Sequence, residues 1–329
     1  WSSDVCSSDL HKGKFLGVSE TGTHLPDGTK TGLDHLVELG ITHVHLMPVF
    51  DFYTIDESRL HENRFNWGYD PHLYNAPEGS YATDPTDGLT RIRELKQMIL
   101  SLKKRGIGVV MDVVYNHTYR SIDSEFNKLV PGYFYRTDEA GRFSDGSGCG
   151  NETASERAMV RKTITDSVLY WAREYKVDGF RFDLMALHDI DTMNGIRQAL
   201  DAMHPGILLY GEGWTGGASR LAPELAASKQ NAARLLKIGF FNDTSRDAIK
   251  GDNFQARNGG FVNGNPAQNG RVRFGITAAI PHPQVDAFAA TGAASWAGYP
   301  WHCVNYAASH DNLTLYDKLV ASGCARDDR

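Results

Sequence analysis

From Thr31 onward the chain alternates short apolar runs with stretches of helical periodicity, and that rhythm limits most strongly what it can fold into. "ITHVHLMPV" reads as a strand. "DGLTRIRELKQMILSLKKRG" sets Ile92, Leu95, Ile99 and Leu102 on one helical stripe, with Asp87 as N-cap and Gly106 as the stop. "IGVVMDVVYN" is the next strand. "SERAMVRKTITDSVLYWAREY" follows as a helix with Val160, Ile164, Val168 and Trp171 on one side, and "VDGFRFDLM" as a strand. "DIDTMNGIRQALDAMHPG" then reads as a helix with Met193, Ile196, Leu200 and Met203 inward, and "ILLYGEGW" as a strand. Repeated βα units of this kind build a parallel sheet. A chain of 329 residues suits one α/β barrel as well as two smaller domains. Two connections are much longer than usual: 49–86, and 117–153, which reads as a long loop or a small inserted subdomain. The stretch 242–270, rich in Gly and Asn, reads as a third irregular region.

Charge and composition remove several classes of partner. The chain carries 34 basic and 40 acidic residues, with no basic tract interleaved with aromatics, which argues against nucleic acid. It has no apolar run approaching the roughly 18 residues of a membrane span and no signal peptide, so no membrane association is expected. Four cysteines, Cys6, Cys149, Cys303 and Cys324, show no CxxC spacing. They read as unpaired thiols in a reducing compartment, and a cytoplasmic address is expected; a leader upstream would make it secreted or cell-surface. "WSSDVCSSDL", residues 1–10, looks like a translated sequencing adapter and is set aside as a non-native leader, which leaves 11–329 as one partial domain.

The strand "VDGFRFDLM" holds two charges on an apolar frame. Alternation along a strand puts Phe180, Phe182 and Leu184 on one face, and Gly179, Arg181 and Asp183 on the other. Burying either charge without its partner would cost about 3 to 5 kcal/mol, so the two belong together. A structural ion pair satisfies the pattern as well as an active site does. The other strand candidates also end in titratable groups: Asp112 and His117 in "VVMDVVYNH", Glu212 in "LLYGEG", and His310 and Asp311 in "NYAASHDN". Taken singly, Asp311 could cap a helix, Glu212 could sit in a turn, and the histidines could be structural. Taken together they mark the rim of a (β/α)8 barrel, where active sites of that fold lie. Two carboxyls held in different protonation states are the equipment of a glycosidase. Arg181 is expected to keep Asp183 ionised, while Glu212, with no cation beside it in sequence, suits the general acid.

"DVVYNH", "GFRFDLM", "YGEGW" and "SHDN", in that order, resemble the four short regions that define the α-amylase superfamily of retaining glycoside hydrolases. The loop "FNWGYDP", Phe65 to Pro71, resembles the hallmark of its type I pullulanases, which debranch α-1,6 links in pullulan, glycogen and starch. The resemblance runs from about Lys14 to the end of the chain. It implies that Asp183 is the nucleophile, that Glu212 is acid and then base, and that Asp311 grips neighbouring hydroxyls of the sugar. Asp112, His117, Arg181 and His310 would line the same subsite, Tyr69 would stack beneath the ring, and Trp67 and Trp214 would be further platforms. A branched α-glucan is the implied partner, and no cofactor is required. Some relatives bind calcium near the loop that starts at His117, and Asn116 and the acids of that loop leave calcium open, so the metal ligands are unknown.

The hallmark usually begins with Tyr, where this chain has Phe65. The resemblance also implies a TIM barrel lacking its first and eighth strands, with an insertion after the third. Two open strand edges would follow. The stretch from Lys14 to Arg329 is therefore expected to be poorly soluble or inactive alone, although its parent is an enzyme. An α-1,4-acting amylase or an isoamylase-like debranching enzyme is the alternative within enzymes. A non-catalytic glucan-binding relative is the alternative outside them, and such relatives typically lose one of the acids that are all present here.

Overall fold

The computed structural model describes residues 11–326; the leader assigned to residues 1–10, Cys6 included, lies outside them. The chain divides into two compact units. The first holds the chain up to Leu209 together with Trp214–Ala226, and the second holds Tyr210–Gly213 and the chain from Ala227 onward. Among the described residues no helix is long and apolar enough to cross a membrane.

In the first unit three strands run parallel in chain order: β1 (His43–Leu46), β2 (Gly108–Val113) and β3 (Gly179–Phe182). β4 (Leu208–Gly211) begins in this unit, where the Leu208 amide donates to the Asp178 carbonyl. From Val109 onward β2 is buried at every residue, so Asp112 is a charge embedded in an apolar strand. The helices between the strands form where the apolar spacing predicts them. Asp87 caps the Gly88–Lys104 helix by accepting from the Leu89 and Thr90 amides, and the chain leaves it at Gly106, whose φ of +77° suits glycine. Leu95, Ile99 and Leu102 are buried as expected, and Ile92 is half-buried. The Ala158–Tyr175 helix buries Val160, Ile164, Val168 and Trp171, and the Trp171 indole donates to the Tyr74 carbonyl at 2.9 Å.

Two details differ from the sequence reading. Met203, the last residue of the Ile190–Met203 helix, is exposed, because the apolar stripe runs out with the final turn after Leu200. Leu184 does not continue the alternation of Phe180 and Phe182: its backbone is left-handed, φ +40° and ψ +51°, and opens the short 3₁₀ turn Met185–Leu187. The ladder reaches Asp183, whose amide donates to the Val113 carbonyl at 3.1 Å, and stops there. Residues 117–153 belong to the first unit and carry a short helix, Glu125–Leu129, followed by the isolated bridges Tyr135 to Thr153 and Thr137 to Phe143.

In the second unit the end of β4 pairs with β5 (Gly239–Phe241), and β5 with β6 (Cys303–Val304), again parallel. The stretch from Asn242 is less irregular than its composition suggests. Asn242 caps a helix, Asp243–Lys250, through the Ser245 amide, and the glycines and asparagines dominate only after Gly251. Thr314, not Asp311, caps the Leu315–Ala321 helix, which removes the helix-cap reading of Asp311. A small core of Phe274, Ala279 and Ala297 closes this unit.

His188 is fully buried, edge-on to Phe182, and burial, with Arg136 nearby, pushes its imidazole down to about 4 from 6.5. Between those values the unfolded chain holds a proton that the fold refuses, so this group makes the fold lose stability as pH falls, by about 3 kcal/mol in all. Glu78 acts in the opposite sense, since burial raises its carboxyl to about 7 and the fold then loses stability as pH rises. The stability difference between wild type and His188→Gln is therefore expected to be about 3 kcal/mol larger at pH 7.5 than at pH 4 in urea unfolding. A difference independent of pH would contradict the neutral, buried ring.

Candidate active site

The parallel register sets Asp112 on β2 beside Arg181 on β3, and this pairing organises everything around it. Arg181 Nη1 lies 2.9 Å from both oxygens of Asp112 and 2.8 Å from Asp183 Oδ1. The Asp112 and Arg181 side chains are 1% and 3% exposed and that of Asp183 12%, so Asp183 is the carboxylate of the three groups that reaches open space. Burial pushes the Asp112 carboxyl up, but Arg181 and His45 outweigh it and hold the group below the usual carboxylate range.

Asp183 is held from its other side by Asn116, whose Nδ2 donates to Asp183 Oδ2 at 2.8 Å and to the Asp183 carbonyl at 3.0 Å. Asn116 Oδ1 meets His117 Nδ1 at 2.6 Å, and His117 Nε2 meets the Tyr69 carbonyl at 3.0 Å. Burial pushes the His117 imidazole below its ordinary range, against the charge of Asp183, which pulls it up. The Tyr69 hydroxyl donates to Asp112 Oδ2 at 2.8 Å, and the Arg181 guanidinium lies 5.8 Å from the centre of the Tyr69 ring. Burial and the neighbouring carboxylates raise the Tyr69 phenol far above its normal value, so it stays a donor. Asp183, Asp112, Arg181, His117 and Tyr69 thus form one connected group.

The loop Phe65 to Pro71 delivers Tyr69 by its own internal bonds. Asn66 Nδ2 donates to Asp70 Oδ1 at 2.9 Å, and the Gly68 amide donates to Asn66 Oδ1 at 2.7 Å. Gly68 takes φ +90°, and a Cβ there would lie 2.9 Å from Pro48, so only glycine lets the loop lie this close to the strand end. Phe65 is 72% exposed, so the hydroxyl it lacks relative to the hallmark would sit in solvent. Trp67 is exposed and Trp214 half-buried, both in the first unit.

The remaining sequence candidates lie in the second unit. Glu212 is buried directly after β4, and its charge is among the influences that, with burial, push the Tyr306 phenol up to about 12. His310 Nε2 stands 3.4 Å from Asp311 Oδ1, with Asp311 45% exposed. Two residues of the first cluster escaped the sequence reading. His45 Nε2, from β1, approaches Asp112 Oδ2 at 3.5 Å, and Asn116 was considered only as an opening for calcium. The signal for His45 was its place in the alternation of "THVHL".

Among the described residues, carboxylate oxygens of Asp51, Glu57 and Glu78 lie within 4.8 Å of one another, the grouping nearest to a metal site. Arg91 pairs with Glu57 and lies 3.9 Å from Asp51, and His72 Nδ1 is 3.0 Å from Asp51, so a guanidinium and an imidazole already occupy the surroundings of this cluster.

Comparison with known proteins gives a consistent answer. The family model "Alpha amylase, catalytic domain" matches residues 19–130. The pullulanase of Bacillus subtilis (strain 168) is 46% identical over 319 residues, which is 95% of this chain and 42% of that protein. The crystal structure of a pullulanase from Paenibacillus barengoltzii, in complex with maltohexaose and α-cyclodextrin, superposes with a TM-score of 0.90 at 49% identity, covering 95% of this chain and 47% of that one. The type I pullulanase of Bacillus subtilis str. 168 complexed with maltose gives a TM-score of 0.90 at 45% identity, over 98% and 44% of the two chains. The chain spans less than half the length of these relatives. They show the fold as that of an incomplete (β/α)8 barrel, with six parallel strands among the described residues.

Arg181 is the cation shared by Asp112 and Asp183, so Arg181→Met leaves two carboxylates without it and is expected to cost about 3 to 5 kcal/mol at pH 7. Without Arg181 the burial of Asp112 pushes its folded pKa above the unfolded one, the fold takes up a proton there, and the loss shrinks as pH falls. Urea unfolding at pH 7 and pH 4 checks this; an equal loss at both would show that the charge pairing is not what Arg181 provides.

Proposed function

Since the chain belongs to the α-amylase family, and within it to the pullulanases, we propose that it carries the reaction centre of a retaining glycoside hydrolase that cleaves α-1,6 branch links in pullulan, glycogen or starch. The observation that supports this most is the holding of Asp183. Arg181 engages one of its oxygens and Asn116 the other, and each oxygen keeps a second lone-pair direction for an incoming sugar. A carboxylate fixed in orientation, with a buried guanidinium on one oxygen and an amide on the other, is fit to attack an anomeric carbon.

In this reading Glu212 gives its proton to the departing glycosidic oxygen while Asp183 bonds to the anomeric carbon, which leaves a covalent β-glycosyl enzyme. Water then attacks the same carbon, Glu212 takes the proton, and Asp183 leaves with its electron pair. Asp311 holds neighbouring hydroxyls of the ring as positive charge builds on it. Asp112, His117, Arg181 and His310 line the subsite, Tyr69 lies under the sugar, and Trp67 and Trp214 offer apolar faces to further units. The relatives' complexes with maltohexaose, α-cyclodextrin and maltose support a glucan as ligand. The chemistry needs no metal, and calcium would serve structure only. The free thiols of Cys149, Cys303 and Cys324 support a cytoplasmic address.

The protein carrying this chain is expected to release maltotriose as the main product from pullulan and to leave amylose largely intact. Asp183→Asn and Glu212→Gln should each lower the rate on pullulan by about 10² to 10⁴ or more. Cleavage of amylose instead would favour an α-1,4-acting enzyme, variants as active as wild type would overturn the roles of Asp183 and Glu212, and a wild-type protein that binds glucan without hydrolysing it would be a glucan-binding protein.

A further inference from the structure

Glu152, on the long loop after β2, is a fully buried carboxylate for which the mechanism above has no use. Its Oε1 accepts a hydrogen bond from the Arg220 amide at 2.9 Å, and its Oε2 is buried with no hydrogen-bond partner. The nearest cation, Arg136 Nη1, is 3.7 Å away and already donates to the Leu187 carbonyl at 3.0 Å. A charge so placed is costly, and the bond it makes is to the backbone of another loop.

That loop, 214–220, lies flush against residues 145–152, all within the first unit. The Gly217 amide donates to the Gly146 carbonyl at 2.8 Å. Glycines line the seam because nothing larger fits: a Cβ on Gly216 would collide with the Ser147 carbonyl oxygen, one on Gly217 would lie 2.6 Å from the Asp145 carbonyl oxygen, and one on Gly146 would strike Glu152 Oε2. Gly216 also faces Leu184, the residue after Asp183. The loop begins at Trp214.

We propose that Glu152 is a positioning residue, which by gripping the Arg220 amide across this glycine seam holds the 214–220 loop, and with it Trp214, in the orientation that receives a glucan ring. The inference rests on the proposed function for its ligand. It predicts that the acceptor atom matters and the charge does not. Glu152→Gln keeps the acceptor, and KM for pullulan and Kd for maltotriose should stay within about twofold of wild type. Glu152→Ala removes it, and both constants should rise about tenfold while kcat stays within about threefold. In a Trp214→Ala background the same Glu152→Ala change should add nothing, because its effect passes through the indole.

Effects that multiply across that double-variant cycle, or a Gln variant as impaired as the Ala variant, would overturn the proposal. Should Glu152→Ala fail to fold, Gly217→Ala displaces the same loop without touching the carboxylate; unchanged KM and Kd there would overturn it equally. A wild-type protein that binds maltotriose but leaves pullulan intact counts against the proposed hydrolysis, and the clamp is then judged on Kd alone.

Discussion

One guanidinium balancing two carboxylates is the constraint on which the first unit depends. Arg181 stands beside Asp112 because the β2–β3 register puts it there, and two residues further on the chain brings Asp183 back to the same nitrogen. None of the three groups is affordable in an apolar interior alone. The strand pairing and the ionic group therefore specify each other: a one-residue slip would turn Arg181 and Asp183 together away from Asp112.

Around that group, precision comes from the loops rather than the strands. Asn116 and His117 follow β2 and link Asp183 to Tyr69, and Tyr69 rests on a loop shaped by Asn66, Gly68 and Asp70. Rigid strands set the direction of the buried charges, and short side chain to backbone bonds set the direction of what surrounds them.

Much of this was legible in the residues. The helix stripes, the Asp87 cap and the strand ends carrying Asp112, Arg181 and Asp183 follow from local periodicity, which depends on neighbours a few positions apart. The errors lie where periodicity ends. Met203 continues a stripe after the core has stopped, and Leu184 continues an alternation after the strand has turned. The helix within 242–270 was hidden because composition was read over a window that mixed a capped helix with the glycine-rich chain beyond it. His45 and Glu152 act through contacts distant in sequence, His45 across two strands and Glu152 across two loops; alternation in "THVHL" places His45 on a face without naming its partner, and no local pattern announces Glu152.

Leu184 is a branched residue in a conformation that chirality disfavours by roughly 1 to 2 kcal/mol, directly after the carboxylate that Arg181 and Asn116 hold. Glycine would relax it, yet the chain keeps a side chain there and packs it toward Gly216. That tension is present in the resting protein. The bend that aims Asp183 is thus set at folding, and the carboxylate is held in one direction with no later rearrangement needed to turn it.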